Sequence, residues 1–237
     1  MGDISGSGFG GFAQYVCADE KILALKSAQM SFEEAASMPH CGLLAIQGLN
    51  KYGSIQAGQK ILINGSGGGV GTIAVQLAKL NGAEVTCIDK EEKLDVLKSL
   101  GADHVVDYRN EDFTQTERRY DLILDPMAHR SLNDYLSVMN PTGKYVVIGG
   151  KMKLIFQLVL RKKRIFKTTG KQIGLLMYEP NIEDLQTLTE LFDAGKFKPV
   201  IDKIYPLSET ADAMRYLLGG HAKGKLVITI SNNNSMD

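Results

Sequence analysis

The chain has 237 residues, enough for one large or two small domains with a substantial buried core. Lys plus Arg (27) equals Asp plus Glu (27), so no global field favours nucleic acid, acidic lipid or acidic substrates, and we expect neither a nucleic-acid nor a membrane partner. Its three scattered cysteines lack C-x-x-C spacing and the N-terminus lacks a basic, apolar signal, which predicts a cytoplasmic protein without disulfides.

The N-terminal part carries the signals of one strand and two helices. Residues 12–17 alternate apolar and polar side chains, which is typical of a strand. Ser31, followed three residues later by Glu34, has the pattern of a capping box and predicts a helix start. Pro39 predicts a break, after which a second helical stretch runs to about Tyr52.

From Lys60 onward, strands and helices alternate. Strands are predicted at 61–63, 84–88, 104–106, 120–124, 144–148 and 173–177, with helices over 72–79 and 91–100. Strands alternating with helices imply parallel pairing with right-handed crossovers. The predicted fold class is therefore α/β, with a Rossmann-type doubly wound parallel sheet.

The remaining segments are less regular. Residues 151–167 combine apolar side chains with the basic run 161–164; we interpret them as a solvated loop, with a membrane-surface or partner-binding stretch as the alternative. After them we predict helices over 182–194 and 208–218, strands over 200–205 and 225–230, and a frayed tail at 232–235.

A glycine-rich turn, Asn64-Gly65-Ser66-Gly67-Gly68-Gly69-Val70-Gly71, follows the first strand of the alternating region and opens a helix. Glycine lets a backbone approach a diphosphate closely, and the helix N-terminus presents unpaired N–H groups to it. The turn therefore predicts a nicotinamide dinucleotide site, NAD or NADP, formed by Gly65, Ser66, Gly67, Gly68, Gly69, Val70 and Gly71. The short-chain dehydrogenase pattern is set aside because no Tyr-x-x-x-Lys pair exists.

Asp89 ends the second strand of this βαβ unit. An acidic residue at this place typically accepts hydrogen bonds from the adenosine ribose and repels a 2′-phosphate, which favours NAD. The alternative is a solvated strand-end aspartate that caps the next helix.

Several segments at matched spacing resemble one family. Residues 6–16, 31–39, 42–45, 64–71, 100–108 and 220–228 resemble the zinc-independent, quinone-oxidoreductase-like branch of the medium-chain dehydrogenase/reductases. The resemblance implies hydride transfer between a nicotinamide and a quinone, enone or other carbonyl, and a homodimer paired near residues 173–177. It also implies a GroES-like β domain into whose chain the Rossmann domain is inserted.

From this resemblance we expect residues 1–40 to be a remnant of the GroES-like domain, 41–180 the Rossmann domain, and 181–237 the segment returning to the catalytic domain. Most of the GroES-like domain is expected to be missing, so no catalytic residue is predicted. A truncated, catalytically silent dinucleotide-binding or interaction protein is the alternative function.

The resemblance also assigns single residues. Lys93 and Tyr108 match residues that contact the 2′-phosphate of NADPH, and Gly149 matches a backbone contact near the nicotinamide. Because Asp89 favours NAD, the choice between NAD and NADP stays open. Two departures from the family pattern are Leu44, where threonine is usual, and Asp125-Pro126-Met127-Ala128, where Asp-Thr-Val-Gly is usual.

Other chemistry-bearing residues give weaker signals. His40 and Cys41 are adjacent, but a catalytic zinc needs three protein ligands, so no metal site is predicted. His129 and Tyr135 are expected to be solvent-exposed residues without an acid–base role.

Overall fold

A computed structural model describes residues 1–3 and 10–230. The predicted tail at 232–235 and part of the family-like run at 6–16 lie outside the described residues. The chain divides into two compact units, one made of residues 44–178 and the other of residues 1–43 together with 179–237.

Unit 44–178 is built on a six-stranded sheet. Its strands are β1 (Lys60–Asn64), β2 (Glu84–Asp89), β3 (His104–Asp107), β4 (Tyr120–Asp125), β5 (Met139–Val147) and β6 (Gln172–Leu175). They lie in the order β3-β2-β1-β4-β5-β6, and every neighbouring pair is parallel. The predicted doubly wound parallel sheet is confirmed. The strand order reverses between β1 and β4, where open α/β sheets bind ligands at the carboxyl edge.

Helices connect these strands. The α-helices among residues 1–3 and 10–230 are α1 (Phe32–Ser37), α2 (Pro39–Asn50), α3 (Gly69–Leu80), α4 (Glu91–Ser99), α5 (Leu132–Ser137), α6 (Met152–Thr169), α7 (Ile182–Asp193) and α8 (Thr210–Leu218). In β1, Ile61, Leu62 and Ile63 are all fully buried, as expected for a parallel strand covered on both faces. Because β1 is buried along its length, the turn that follows it lies at the carboxyl edge of the sheet.

The basic stretch after β5 is a helix, so the interpretation as a solvated loop is wrong. Leu154, Leu158 and Ile165 share one face of α6 and are buried. This helical period was obscured by the run of cations that interrupts it. No helix among the described residues is long and apolar enough to cross a membrane.

Unit 1–43 with 179–237 contains a second, two-stranded parallel sheet, β7 (Ile201–Pro206) and β8 (Lys225–Thr229), together with α1, α7 and α8. The capping box of α1 is confirmed, because Ser31 Oγ accepts from Glu34 N at 3.1 Å and Glu34 Oε2 accepts from Ser31 N at 2.9 Å.

The strand predicted at 12–17 is wrong. This segment forms bends and irregular backbone and is exposed. A strand needs a neighbour to pair with, and no strand within the described ranges pairs with this one. The alternation of side chains was therefore not sufficient to define a strand.

Candidate coenzyme site

The glycine turn joins β1 to α3. The N–H groups of Gly65 and Ser66 donate to the Ile88 carbonyl at 2.8 and 3.2 Å, which ties the turn to the end of β2. Gly65 has φ +83°, a left-handed conformation that favours glycine. Gly68 is the N-cap of α3 and forms no side-chain cap. The first N–H groups of α3 are therefore available to an anion.

The turn has a buried part and an accessible part. Ser66, Gly67 and Gly71 are buried, whereas Gly68, Gly69 and Val70 are partly exposed. The Ser66 hydroxyl donates to the Ile88 carbonyl at 3.1 Å, so this side chain fastens the turn to β2. The accessible part coincides with the positive end of the α3 dipole.

The glycines of the turn serve different purposes. A Cβ on Gly71 would lie 2.4 Å from Ser66 Cα, and one on Gly67 would lie 2.6 Å from Lys93 Cδ. A Cβ on Gly68 would meet only the Gly65 carbonyl oxygen, at 3.6 Å. Gly71 and Gly67 are thus required by packing, whereas Gly68 leaves a cradle that a side chain would fill. This cradle, lined by backbone at a helix N-terminus, fits a diphosphate.

Asp89 and Lys93 are in contact with each other beside the turn. Asp89 Oδ2 accepts from Gly67 N at 2.7 Å, and its Oδ1 accepts from Lys90 N at 2.9 Å. Lys93 Nζ lies 3.7 Å from Asp89 Oδ1, and both side chains are 9% exposed. The solvated aspartate considered as an alternative is therefore not observed. The two residues that the sequence predicts to favour opposite coenzymes thus form one buried ion pair.

The other predicted residues lie at the same edge of the sheet. Tyr108 follows β3, and its N–H donates to the Asp89 carbonyl at 3.3 Å. Gly149 follows β5, beside Ile148, whose N–H donates to the Asp125 carbonyl at 3.0 Å. Gly149 has φ +78°, and no heavy atom lies within 4 Å of the position of its missing Cβ. The carboxyl ends of β1, β2, β3 and β5 thus bring all the predicted residues to one edge.

A buried polar cluster around Asp125 lies under this edge and was not predicted. Asp125 is fully buried, and its Oδ1 accepts from Asn64 Nδ2 at 2.8 Å and from Ala128 N at 2.7 Å. Tyr145 donates its hydroxyl to Asp125 Oδ2 at 2.9 Å. Asp125, like Asp89, is an acidic residue at the end of a predicted strand, and this position was the available signal.

Tyr135 belongs to this cluster, so the expectation that it is solvent-exposed is wrong. Its ring is fully buried and stacks on Tyr145 at 4.6 Å between centroids, and Asn64 Nδ2 donates to its hydroxyl at 3.2 Å. Burial first, and then the Asp125 carboxylate, raise the pKa of both tyrosine hydroxyls far above 10. Both therefore remain protonated. His129, by contrast, is exposed as expected.

The adjacent His40 and Cys41 have other contacts. His40 Nδ1 lies 2.8 Å from Asp3 Oδ2, and Lys225 Nζ lies 3.5 Å from Cys41 Sγ. Within the described part of the chain, no group of three His, Cys, Asp or Glu residues is placed to hold a metal ion. These donors therefore do not fit a zinc centre.

The parallel sheet, the open cradle and the acidic residue after β2 define a dehydrogenase-type Rossmann protein. Residues 100–228 match the family model described as zinc-binding dehydrogenase. The chain belongs to this family, within the quinone-oxidoreductase-like medium-chain dehydrogenase/reductases.

Similar proteins include a chloroplast envelope quinone oxidoreductase homolog from Arabidopsis thaliana, 33% identical over 95% of this chain and 70% of that protein. Another is a 2-methylene-furan-3-one reductase from Solanum lycopersicum, 35% identical over 93% of this chain and 53% of that protein. The quinone oxidoreductase from Coxiella burnetii matches with a TM-score of 0.80 and 30% identity, covering 91% of this chain and 66% of the other. The chain thus spans about half to seven tenths of the length of these relatives.

Proposed function

We propose that the chain binds a nicotinamide dinucleotide and acts in a zinc-independent oxidoreductase that transfers hydride between NAD(P)H and a quinone, enone or other carbonyl. The open cradle at Gly68, at the uncapped start of α3, is the observation that carries this proposal. The names of the relatives support the substrate class. The coenzyme supplies the hydride, and the protein binds and orients it.

In this proposal the predicted residues contact different parts of the coenzyme. Gly65, Ser66, Gly67, Gly68, Gly69, Val70 and Gly71 form the diphosphate turn. Asp89, Lys93 and Tyr108 face the adenosine ribose at the ends of β2 and β3, and Gly149 lies toward the nicotinamide. Residues 41–180 are then the Rossmann domain, and 1–40 with 181–237 are the portion of a GroES-like catalytic domain that this chain contains.

We further propose a cytoplasmic homodimer. The free thiols of Cys17, Cys41 and Cys87 fit a reducing compartment. No strand in the described ranges pairs with the outer edge of β6, and such a strand edge is a ready site for a second copy.

The diphosphate cradle is tested by Gly68→Ala, with Gly71→Ala as its matched control. Gly68 has φ −89°, which alanine adopts readily, so Gly68→Ala should fold normally while its methyl group occupies the cradle. We expect coenzyme affinity to fall about tenfold or more, which corresponds to at least about 1.4 kcal/mol. Gly71→Ala should instead lower the melting temperature without coenzyme, because its Cβ meets backbone.

Calorimetry and melting curves with NADH and NADPH provide the measurement. Absence of heat and of any melting-temperature gain with both coenzymes would overturn the proposal, as would wild-type affinity in Gly68→Ala. Turnover is then measured as NAD(P)H oxidation with a panel of quinones, enones and aldehydes. Coenzyme binding without turnover would support the silent dinucleotide-binding alternative.

The Asp89–Lys93 pair supports weak discrimination between NADH and NADPH. The negative charge of Asp89 disfavours the 2′-phosphate of NADPH, and the positive charge of Lys93 favours it. Asp89→Asn keeps an oxygen for Gly67 N–H and removes the negative charge, so it should shift the affinity ratio toward NADPH. Lys93→Met should shift the ratio toward NADH, each by about tenfold or 1.4 kcal/mol. If either variant changes both dissociation constants equally, the pair acts only by holding the turn.

A further inference from the structure

Helix α6 has two apolar faces. The inner face is formed by Leu154, Leu158 and Ile165, which are buried in the core of unit 44–178. The opposite side, here called the outer face, carries the apolar residues Met152, Phe156, Val159, Leu160 and Phe166, each between 56% and 75% exposed. A surface helix ordinarily presents polar residues on its solvent side. The outer face therefore requires a separate explanation.

The same helix concentrates positive charge. Lys153, Arg161, Lys162, Lys163, Arg164 and Lys167 all lie within Met152–Thr169, a segment without a single acidic residue in a chain whose net charge is zero. By helical spacing, Lys163 and Lys167 lie on the outer face among its apolar side chains. No ion pair found in the described part of the chain includes a cation of α6.

Two of these cations, together with Lys171 beyond the end of the helix, line its flank. Arg161, Arg164 and Lys171 border an open groove of about 500 Å³ between α5 and α6, together with Thr168 and Thr169. Arg161 is held there by Asn133 Oδ1 at 3.2 Å, and Lys171 by the Leu136 carbonyl at 2.7 Å. Such a groove suits phosphate groups that approach from solvent.

We propose that the outer face of α6 lies on an anionic lipid surface. Acyl chains accept the exposed aromatic and aliphatic side chains, while phosphate headgroups pair with the lysines and arginines. A second copy of the chain fits this face less well. A two-fold contact through the face would bring Lys163 and Lys167 close to the same lysines of the other copy, and like charges repel. The balanced net charge, from which no membrane partner was predicted, conceals this local concentration of positive charge.

One test uses tryptophan fluorescence, because the chain contains no tryptophan. Phe156→Trp places a single reporter on the outer face, and Phe32→Trp places the matched reporter on α1, where Phe32 is 80% exposed. With phosphatidylcholine/phosphatidylserine vesicles, the Phe156→Trp emission should shift to the blue and Phe32→Trp should not respond. An unchanged Phe156→Trp spectrum overturns the proposal.

Charge dependence is tested by cosedimentation with the same vesicles. Lys163→Glu/Lys167→Glu should lower the partition coefficient at least about tenfold, since it replaces two attractive charges near the anionic surface by two repulsive ones. Lys21→Glu/Lys196→Glu makes the same net charge change at exposed positions elsewhere and should retain binding. Equal losses in both double variants overturn the proposal, as does equal binding to pure phosphatidylcholine vesicles. The proposal is also overturned if the wild-type protein binds no vesicles and instead self-associates in a way that Phe156→Ser/Phe166→Ser abolishes.

Discussion

Asp89 and Asp125 end β2 and β4, the strands on either side of β1, and both carboxylates are buried. Asp89 contacts the glycine turn and a cation, Lys93, close to the accessible cradle. Among the described residues, the donors to Asp125 are neutral, Asn64 and Tyr145 among them, and the Asp125 side chain is completely enclosed. Aspartates at equivalent strand ends thus have different roles. Asp89 belongs to a candidate ligand site, whereas Asp125 holds buried groups of the core together by hydrogen bonds.

The difference shows where each loop obtains its shape. The loop after β1 requires glycine, because a Cβ on Gly67 or Gly71 would collide with neighbouring atoms. The loop after β4 depends on a side chain that is present, because Asp125 also accepts from the N–H groups of Met127 and Ala128. Variants of the two loops should therefore fail in different ways.

The largest expected effect is that of Asp125→Ala. It leaves the Tyr145 hydroxyl and the Ala128 N–H without an acceptor and removes one of the two acceptors of Asn64 Nδ2, and we expect a loss of about 4 kcal/mol in the free energy of unfolding. Asp89→Ala removes two backbone hydrogen bonds, from Gly67 and Lys90, and a long ion-pair contact of 3.7 Å to Lys93, and should cost about 2–3 kcal/mol. Urea unfolding of both variants provides the measurement. Equal losses of unfolding free energy in the two variants would contradict the different roles assigned to Asp89 and Asp125.

A smaller effect concerns Tyr145 and alkaline pH. The raised pKa keeps its hydroxyl protonated in the folded state, whereas in the unfolded chain it ionises near its ordinary value of 10.0. The stability it contributes is therefore fully present below pH 10 and is lost progressively as the pH rises above it. The stability difference between wild type and Tyr145→Phe should shrink by about 1.4 kcal/mol between pH 9 and pH 11.

Urea unfolding at pH 9, 10 and 11 measures this difference, and other alkaline titrations cancel because both proteins share them. A difference that is independent of pH would mean that the hydroxyl is not enclosed with Asp125.

The smallest expected effect is that of Ala128→Gly. Ala128 has φ +48°, a conformation that costs an L-residue about 1 kcal/mol, and it stands where the family pattern has glycine. Its buried methyl group contributes about 0.8 kcal/mol in return, so the net change should stay within about 0.5 kcal/mol. By contrast, Gly65→Ala should cost about 2 kcal/mol, because its Cβ would lie 2.3 Å from Met127 Cγ. Melting curves of both variants compare the loops directly.

The sequence was most informative where the determinant is local. The alternation of buried strands with helices predicted all six strands of the main sheet, and the glycines of residues 64–71 predicted the turn. Asp89 was identified because its distance from the turn is characteristic of the βαβ unit. These features depend on a few neighbouring residues, which a single chain reveals directly.

Features that depend on distant residues were missed or misjudged. The role of Asp125 depends on Asn64 and Tyr145, and Tyr135 is buried only because α5 packs it against β5. The contact between Asp89 and Lys93 was also not predicted, because Asp89 precedes the first turn of α4 and the pairing rule for residues four apart applies within a helix. The strand predicted at 12–17 failed because pairing depends on a neighbour that the pattern itself does not specify.

The hydrogen bond between Asn64 and Asp125 joins residues 61 positions apart, whereas the glycine turn is fastened to Ile88, which follows it closely. During synthesis the turn can therefore be fastened early, but the polar cluster beneath it is incomplete until Tyr145 has emerged from the ribosome. Non-local pairing of this kind slows folding. We expect chains that stop before residue 145 to lack cooperative unfolding, and stalled-ribosome proteolysis would detect the change in protection.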